Sequence, residues 1–368
     1  MGGWCGRSTY LLPLLVFIGV GLQNAVEGQS SSAAAVQNPG SHGQITLDVI
    51  ATDKSGKPVP GLQHQDFTVL DNKQPQKILS FEAVNRDAGT ANPPVEAILL
   101  IDEANIDFTH LSYAREQVEK FLKHDGGELP IPVSMMFLTD NGIAINGTST
   151  KDGNALAVQL TENKSGLRII NRSQGFYGAN DRVQLSLNAL AEIANYETAR
   201  PGRKLLIWMS AGWPLLTGPR IQLSSKDQQG IFNTIVDLSN RLRQARITLY
   251  SVDPLGTAAA GGFRTFYYKD FVKGVKKSRE VQIGNLGLQV LATQSGGLVL
   301  NSSNDVADEI TTCITDANAF YTLTIESVRG DGPDEYNALE VKIDKPGLKA
   351  RTRTGYYAQP AGTRAPGA

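Results

Sequence analysis

The alternation of apolar and polar positions changes character twice along the chain. From Gln44 the period is two: Ile45, Leu47 and Val49 alternate with Thr46 and Asp48, which predicts a half-buried strand. Asp53-Lys54-Ser55-Gly56 reads as a turn and Pro58-Val59-Pro60-Gly61 as irregular chain. Residues 67–70 and 78–84 predict two more strands around a turn at Asp71-Asn72-Lys73. Past residue 94 the rhythm is that of buried strands alternating with amphipathic helices. Residues 97–101 are continuously apolar, as in a strand covered on both faces. Leu111, Ala114, Val118 and Phe121 then recur at helical spacing, and 131–138 and 143–145 read as strands. Val183, Leu187, Leu190 and Ala194 mark the next helix, and 205–209 another buried strand. Ile231, Ile235, Leu238 and Leu242 mark a helix ending near Arg243 and Arg246, cations suited to its C-terminal dipole. A strand at 247–252, a helix at 286–292 and a short strand at 297–300 follow. Val306, Ile310 and Ile314 mark a last helix, capped by Ser302-Ser303-Asn304. From Phe320 the period returns to two, through Tyr321, Leu323 and Ile325, then Leu339, Val341 and Ile343, then 351–357.

Strands alternating with helices through short connections predict an open, mostly parallel sheet covered on both faces, over residues 93–318. The β segments at 44–92 and 319–358 are each too small to stand alone, so they are expected to pair with each other into one small β-sandwich. Outside these, Arg7 precedes an apolar run at 11–22, and small residues follow at Ala25, Val26 and Gly28. That is the pattern of a signal peptide over 1–28, cut after Gly28 or, second, after Ala25, with an uncleaved anchor as the alternative. Residues 29–43 read as a flexible linker and 359–368 as a disordered tail. The expected destination is secreted or periplasmic, with no membrane span left after cleavage.

Composition narrows the chemistry. The 368 residues carry 35 Lys+Arg against 36 Asp+Glu, a net charge of -1, which argues against nucleic acid or an anionic membrane as main partner. Two cysteines, Cys5 and Cys313, supply neither a disulfide framework nor a zinc site. No phosphate-cradling glycine motif opens a helix, so no nucleotide cofactor is expected.

Three strand-and-turn segments are distinctive: residues 97–102, which read Ala-Ile-Leu-Leu-Ile-Asp, the stretch 204–214, and Ile247-Thr248-Leu249-Tyr250-Ser251-Val252-Asp253-Pro254. They resemble the von Willebrand factor type A fold. Asp53-Lys54-Ser55-Gly56-Lys57-Pro58-Val59-Pro60-Gly61-Leu62 with Asp66-Phe67, and the ending Arg351-Thr352-Arg353-Thr354-Gly355-Tyr356-Tyr357, narrow the likeness. Over 44–358 the order of these motifs resembles the exported bacterial VWFA-related family of acidobacterial type. The resemblance implies an α/β, doubly wound, Rossmann-like sheet of six strands in the order 3-2-1-4-5-6. It also implies a ligand face at the C-terminal strand ends, in keeping with the rule for open α/β sheets.

Type A domains often hold a divalent ion through Asp-x-Ser-x-Ser, a Thr from a second loop and an Asp after the fourth strand. Here the first motif reads Asp102-Glu103-Ala104-Asn105-Ile106, Ala211 stands at the later acid, and the loop at Gly178-Ala179-Asn180-Asp181 has no Thr. Asp102 alone survives as a metal ligand, helped at most by Glu103 or Asp181, so the Mg²⁺ or Ca²⁺ site is expected to be degenerate and no cofactor is needed. The expected function is a non-enzymatic, adhesion-type module that binds a protein partner through its loop rim. Its candidate binding residues are Asp102, Glu103, Asn105, Asp181, Ser210, Trp213, Tyr267, Tyr268 and Lys276. Trp213 is either an exposed anchor or a packed core tryptophan. The aromatic and cationic segment 261–280 is either a binding loop or a local lid. Two alternatives stand beside this reading. A secreted serine hydrolase would use Ser210, although no histidine follows it and His124 lies at the far end of the first helix. A passive cell-envelope scaffold would use the sandwich for assembly.

Overall fold

A computed structural model describes residues 43–86, 94–106, 108–145, 148–163, 176–215, 222–254, 268–327 and 334–358. All of these belong to one unit spanning 39–368. The expected signal peptide, most of the expected linker, the expected tail and Tyr267 lie outside the described residues.

The N-terminal segment forms β1 (Gln44–Thr52), β2 (Phe67–Asp71), β3 (Gln74–Gln76) and β4 (Ile78–Asn85). The middle of the chain runs β5 (Val95–Asp102), α1 (Phe108–Leu122), β6 (Glu128–Thr139), β7 (Gly142–Ala144), β8 (Thr150–Asp152), α2 (Gly153–Glu162), α3 (Phe176–Thr198), β9 (Arg203–Met209), α4 (Ser225–Gln244) and β10 (Ile247–Val252). It continues through α5 (Leu288–Ser295), β11 (Val299–Leu300) and α6 (Val306–Thr315). The C-terminal segment forms β12 (Ala319–Glu326), β13 (Glu335–Ile343), β14 (Lys349–Arg351) and β15 (Gly355–Ala358).

The fold is mixed α/β, with a mostly parallel central sheet and two antiparallel sheets. The central sheet is ordered β11-β10-β9-β5-β6-β7, with β8 also paired to β6. Numbered within this sheet, and leaving β8 aside, the order from the β7 edge is 3-2-1-4-5-6. The five strands from β11 to β6 are parallel, while β7 and β8 run antiparallel to β6. The sheet therefore has seven strands where six were expected. The unforeseen β8, Thr-Lys-Asp, is a short polar edge strand, and so is β3, Gln-Pro-Gln; neither carries the apolar alternation that announces a strand.

Helices cover both faces because β5 is apolar on both. Ala97, Leu99 and Ile101 pack toward α1, α2 and α6, whereas Ile98 and Leu100 pack toward α3, α4 and α5. Helix α2 was not anticipated, although its signal is in the sequence: Asp152 caps it by accepting from Ala155 N at 2.9 Å, and Leu156, Ala157 and Leu160 are buried. Two expected caps are corrected. The N-cap of α6 is Asp305, which accepts from Asp308 N at 3.2 Å, instead of the serine cluster before it. Arg246 leaves α4 with a left-handed φ of 53°, and its guanidinium pairs with Asp48 at 2.5 Å rather than facing the helix carboxyl end.

The antiparallel sheets are ordered β14-β1-β12-β4 and β15-β13-β2-β3. Each interleaves N-terminal with C-terminal strands: β1 lies between β12 and β14, and β2 pairs with β13. Ile45, Leu47 and Val49 share a core with Phe67, Val69, Leu323, Val341 and Tyr356, so the two sheets pack on each other. Buried polar groups join them to the central sheet. Asp316 Oδ2 accepts from Tyr250 Oη at 2.6 Å and from Arg351, while Arg203 donates to the Asp316 carbonyl at 2.8 Å and lies 4.7 Å over the Phe320 ring.

Candidate functional site

Parallel register brings distant turns to one end of the sheet. Ile101 pairs with Met209, Met209 with Val252, and Val252 with Leu300. Asp102, Ser210 and Asp253 each follow this row, so the three turns share one rim. The ladder continues beyond it, Ser210 N donating to Val252 O at 2.9 Å and Asp253 N to Leu300 O at 2.8 Å.

At the rim Asp102 is fully buried, and its carboxylate is held by uncharged donors. Trp208 Nε1 donates to Oδ2 at 2.9 Å, and Asn105 N donates to Oδ1 at 3.0 Å. The Asn105 amide lies 2.8 Å from Oδ2 and 2.9 Å from Ser186 Oγ, and Ser186 Oγ in turn donates to Arg182 O. Burial pushes the Asp102 carboxyl above the usual carboxylate range, against the opposing hydrogen bonds of Trp208, Asn105 and Ser210. Ala104 and Ile106, which stand where Asp-x-Ser-x-Ser would have its hydroxyls, are buried apolar residues. A divalent ion needs several oxygen ligands, and here both carboxylate oxygens of Asp102 already accept hydrogen bonds while Ala104 and Ile106 supply no oxygen. These residues do not fit such an ion.

The other candidates separate. Buried Glu103 points away into an ion pair with the partly exposed Arg115 at 2.8 Å, and Arg115 also donates to the carbonyls of Leu160 and Asn163, tying α1 to the end of α2. Asp181 is exposed in the first turns of α3; the residue of that helix that reaches the cluster is Ser186, which sequence reasoning missed. The available signal was a hydroxyl set into the apolar side of that helix, three residues after Val183. Ser210 is fully buried, accepts from Gly212 N at 3.2 Å and bonds to Asp102. His124 is exposed and paired with its neighbour Asp125, which leaves Ser210 without a base from that side chain. Trp213 is not an exposed anchor: it is 6% exposed and packs edge-on against Trp208 with centroids 5.4 Å apart.

The described half of the 261–280 segment is a strap over the α4 and α5 layer. Phe271 and Val275 are buried, the Val272 carbonyl accepts from Gln294 in the last turn of α5, and the Val275 carbonyl accepts from Tyr357 in β15. Tyr268 is half-buried, which raises its phenol pKa, and Lys276 is exposed on the strap. Contacts at the last turn of α5 and at β15 place the strap apart from the Asp102 cluster.

A second buried acid lies on the rim. Glu309, in the first turns of α6, accepts from Ser303 N at 3.2 Å and is pushed up to about 7, chiefly by burial and further by Asp253 and Asp308. Among the described residues no three His, Cys, Asp or Glu side chains group as metal ligands, and no helix is long and apolar enough to cross a membrane.

No family model matches this chain, and no curated protein matches it. Among solved structures it is similar to the D319A mutant of the PilB minor pilin from Streptococcus sanguinis, at 9% identity and a TM-score of 0.33, over 61% of each chain. It is also similar to the pilus adhesin SpaC from Lactobacillus rhamnosus GG, at 8% identity and a TM-score of 0.35, over 82% of this chain and 43% of that one. The chain thus spans less than two thirds of either structure.

Proposed function

We propose that the chain is an exported, non-enzymatic protein-binding module built on a von Willebrand factor type A-like core, and that its rim engages a partner without a divalent ion. The carrying observation is the saturation of Asp102: at the position where a type A rim offers carboxylate oxygens, both oxygens accept from Trp208 and Asn105. The 3-2-1-4-5-6 strand order and the convergence of three turns support the type A reading. Buried Ser210 supports a rim that binds and does not cleave.

Recognition then rests on shape and neutral polar groups around exposed Asn141 and partly exposed Asn105 and Leu215, at the strand ends. Calorimetric titration with Mg²⁺, Mn²⁺ and Ca²⁺ is expected to give no binding heat. Capture of a partner from an envelope preparation is expected to survive chelation and to fall at least tenfold in an Asn141→Arg, Leu215→Arg variant. Stoichiometric Mg²⁺ binding, or capture lost on chelation, would refute the metal-free rim.

A further inference from the structure

A cleft between the sandwich and the helical layer is lined by Thr46 and Asp48 of β1, by Arg243 and Arg246 at the end of α4, and by Thr352 and Arg353 before β15. It is a small polar recess open to solvent on one side, with enclosed room for little more than a water, so a larger group would sit at its mouth. Three guanidinium groups face one carboxylate. Arg246 accounts for that carboxylate, bonding Asp48 through Nη2, and Thr322 donates to the same acid at 3.2 Å.

Arg243 and Arg353 are left over. Arg353 is 8% exposed, and it feels Asp48, which Arg246 already holds, only through its charge, as Arg243 feels Tyr356; neither guanidinium has a salt bridge among the described residues. The Arg243 Nε is buried and bare. Buried arginines are ordinarily paired, because an uncompensated guanidinium loses its hydration and gains nothing in return. Here two sit close enough to repel: burial, then Arg243, pushes the Arg353 guanidinium down to about 10. A planar fork of N–H donors in a small polar cleft matches a tetrahedral oxyanion, which accepts from both guanidinium groups at once and offsets their repulsion.

We propose that Arg243 and Arg353 form a binding site for one small inorganic oxyanion of the phosphate or sulfate type, seated where the sandwich meets the α/β layers. The bound anion bridges the end of α4 to the last strand connection and strengthens the junction.

The test uses the full chain in chloride buffer, with sodium phosphate or sulfate added at constant ionic strength. Either oxyanion is expected to raise the melting temperature saturably, by about 2 °C at roughly ten times its dissociation constant. Titration calorimetry is expected to show one site. Arg353→Met is expected to abolish the shift and, in chloride alone, to melt above the wild type. Should Arg353→Met not fold, Arg243→Gln carries the same expectation, with affinity weakened at least tenfold. An equal shift from matched chloride, no calorimetric heat, or an undiminished shift in either variant overturns the proposal.

Discussion

Trp208 Nε1 lies 2.9 Å from Asp102 Oδ2 across adjacent parallel strands. Trp208 pairs with Leu100, two residues before Asp102, so indole and carboxylate are diagonal neighbours on one sheet face. The bond fastens the outgoing ends of β5 and β9 with an uncharged donor.

Removing that acid strands its donors. Asp102→Ala leaves Trp208 Nε1 buried without its acceptor and the Asn105 amide with Ser186 Oγ alone, and is expected to lower unfolding stability by about 1–3 kcal/mol. Asp102→Asn keeps one acceptor oxygen and should cost about half as much. Urea unfolding compares the two. A loss for Asp102→Ala below that of ordinary surface substitutions would mean that the cluster holds nothing.

Two of the raised buried acids titrate close to neutrality, and buried Asp102 is raised in the same direction. Glu197, fully buried, is pushed up to about 7 by burial and then by Glu96, and Glu309 is pushed up to about 7 by burial first. An acid raised in the folded state favours the proton there. Its contribution is complete below the ordinary value of 4.5 and is lost as the pH climbs through about 7. The urea midpoint should therefore fall from about pH 5 to about pH 7.5, and Glu197→Gln with Glu309→Gln should flatten the fall. Asp48 acts oppositely. Burial alone would raise it, but the charges of Arg246 and Arg203 and the bonds from Arg246 and Thr322 hold it low, so its contribution is lost only in acid below about pH 4.

Arg115→Met should destabilise by about 1–3 kcal/mol, because it removes the Glu103 ion pair and frees the Leu160 and Asn163 carbonyls. Glu103→Gln with Arg115→Met should recover part of the loss. A double-mutant cycle on melting temperature gives the coupling, and strict additivity of the two changes would contradict the pairing.

The strap is held by a glycine. A Cβ at Gly274 would fall 1.9 Å from the Tyr336 ring, an overlap that neither backbone nor ring absorbs without moving. Gly274→Ala should lift the strap, cost about 1–3 kcal/mol and open residues 268–280 to limited proteolysis. Tyr336→Ala, which empties the position, should make the same alanine nearly neutral against its own background.

The strands that position the rim were legible because burial on both faces demands unbroken apolar runs, as in residues 97–101 and 205–209. Pairing of the chain ends followed from the same logic, since a lone hairpin cannot bury its own face. Polar edge strands such as β3 and β8 answer only to their neighbours and left no periodic trace. The site was less readable. Asp102 was found, yet the partners that decide its chemistry, Trp208 and Ser186, come from a neighbouring strand and a distant helix, and only three-dimensional register brings them near. Trp213 has the same composition whether solvent or Trp208 covers it, so its position in a turn could not decide between the two.

Because β1 is flanked by β12 and β14, and β2 leans on β13, neither antiparallel layer is finished until residues 319–358 arrive. A polypeptide made or threaded from its amino end must carry β1 and β4 unpaired, and β2 with only the short β3 beside it, while the whole central sheet assembles. Such long-range closure is slow, and it leaves Leu47, Val49 and Val69 open to wrong partners in the meantime. Shortening the chain from its carboxyl end by even the last two strands would therefore unseat the first ones, and the damage would surface as aggregation before any change at the rim.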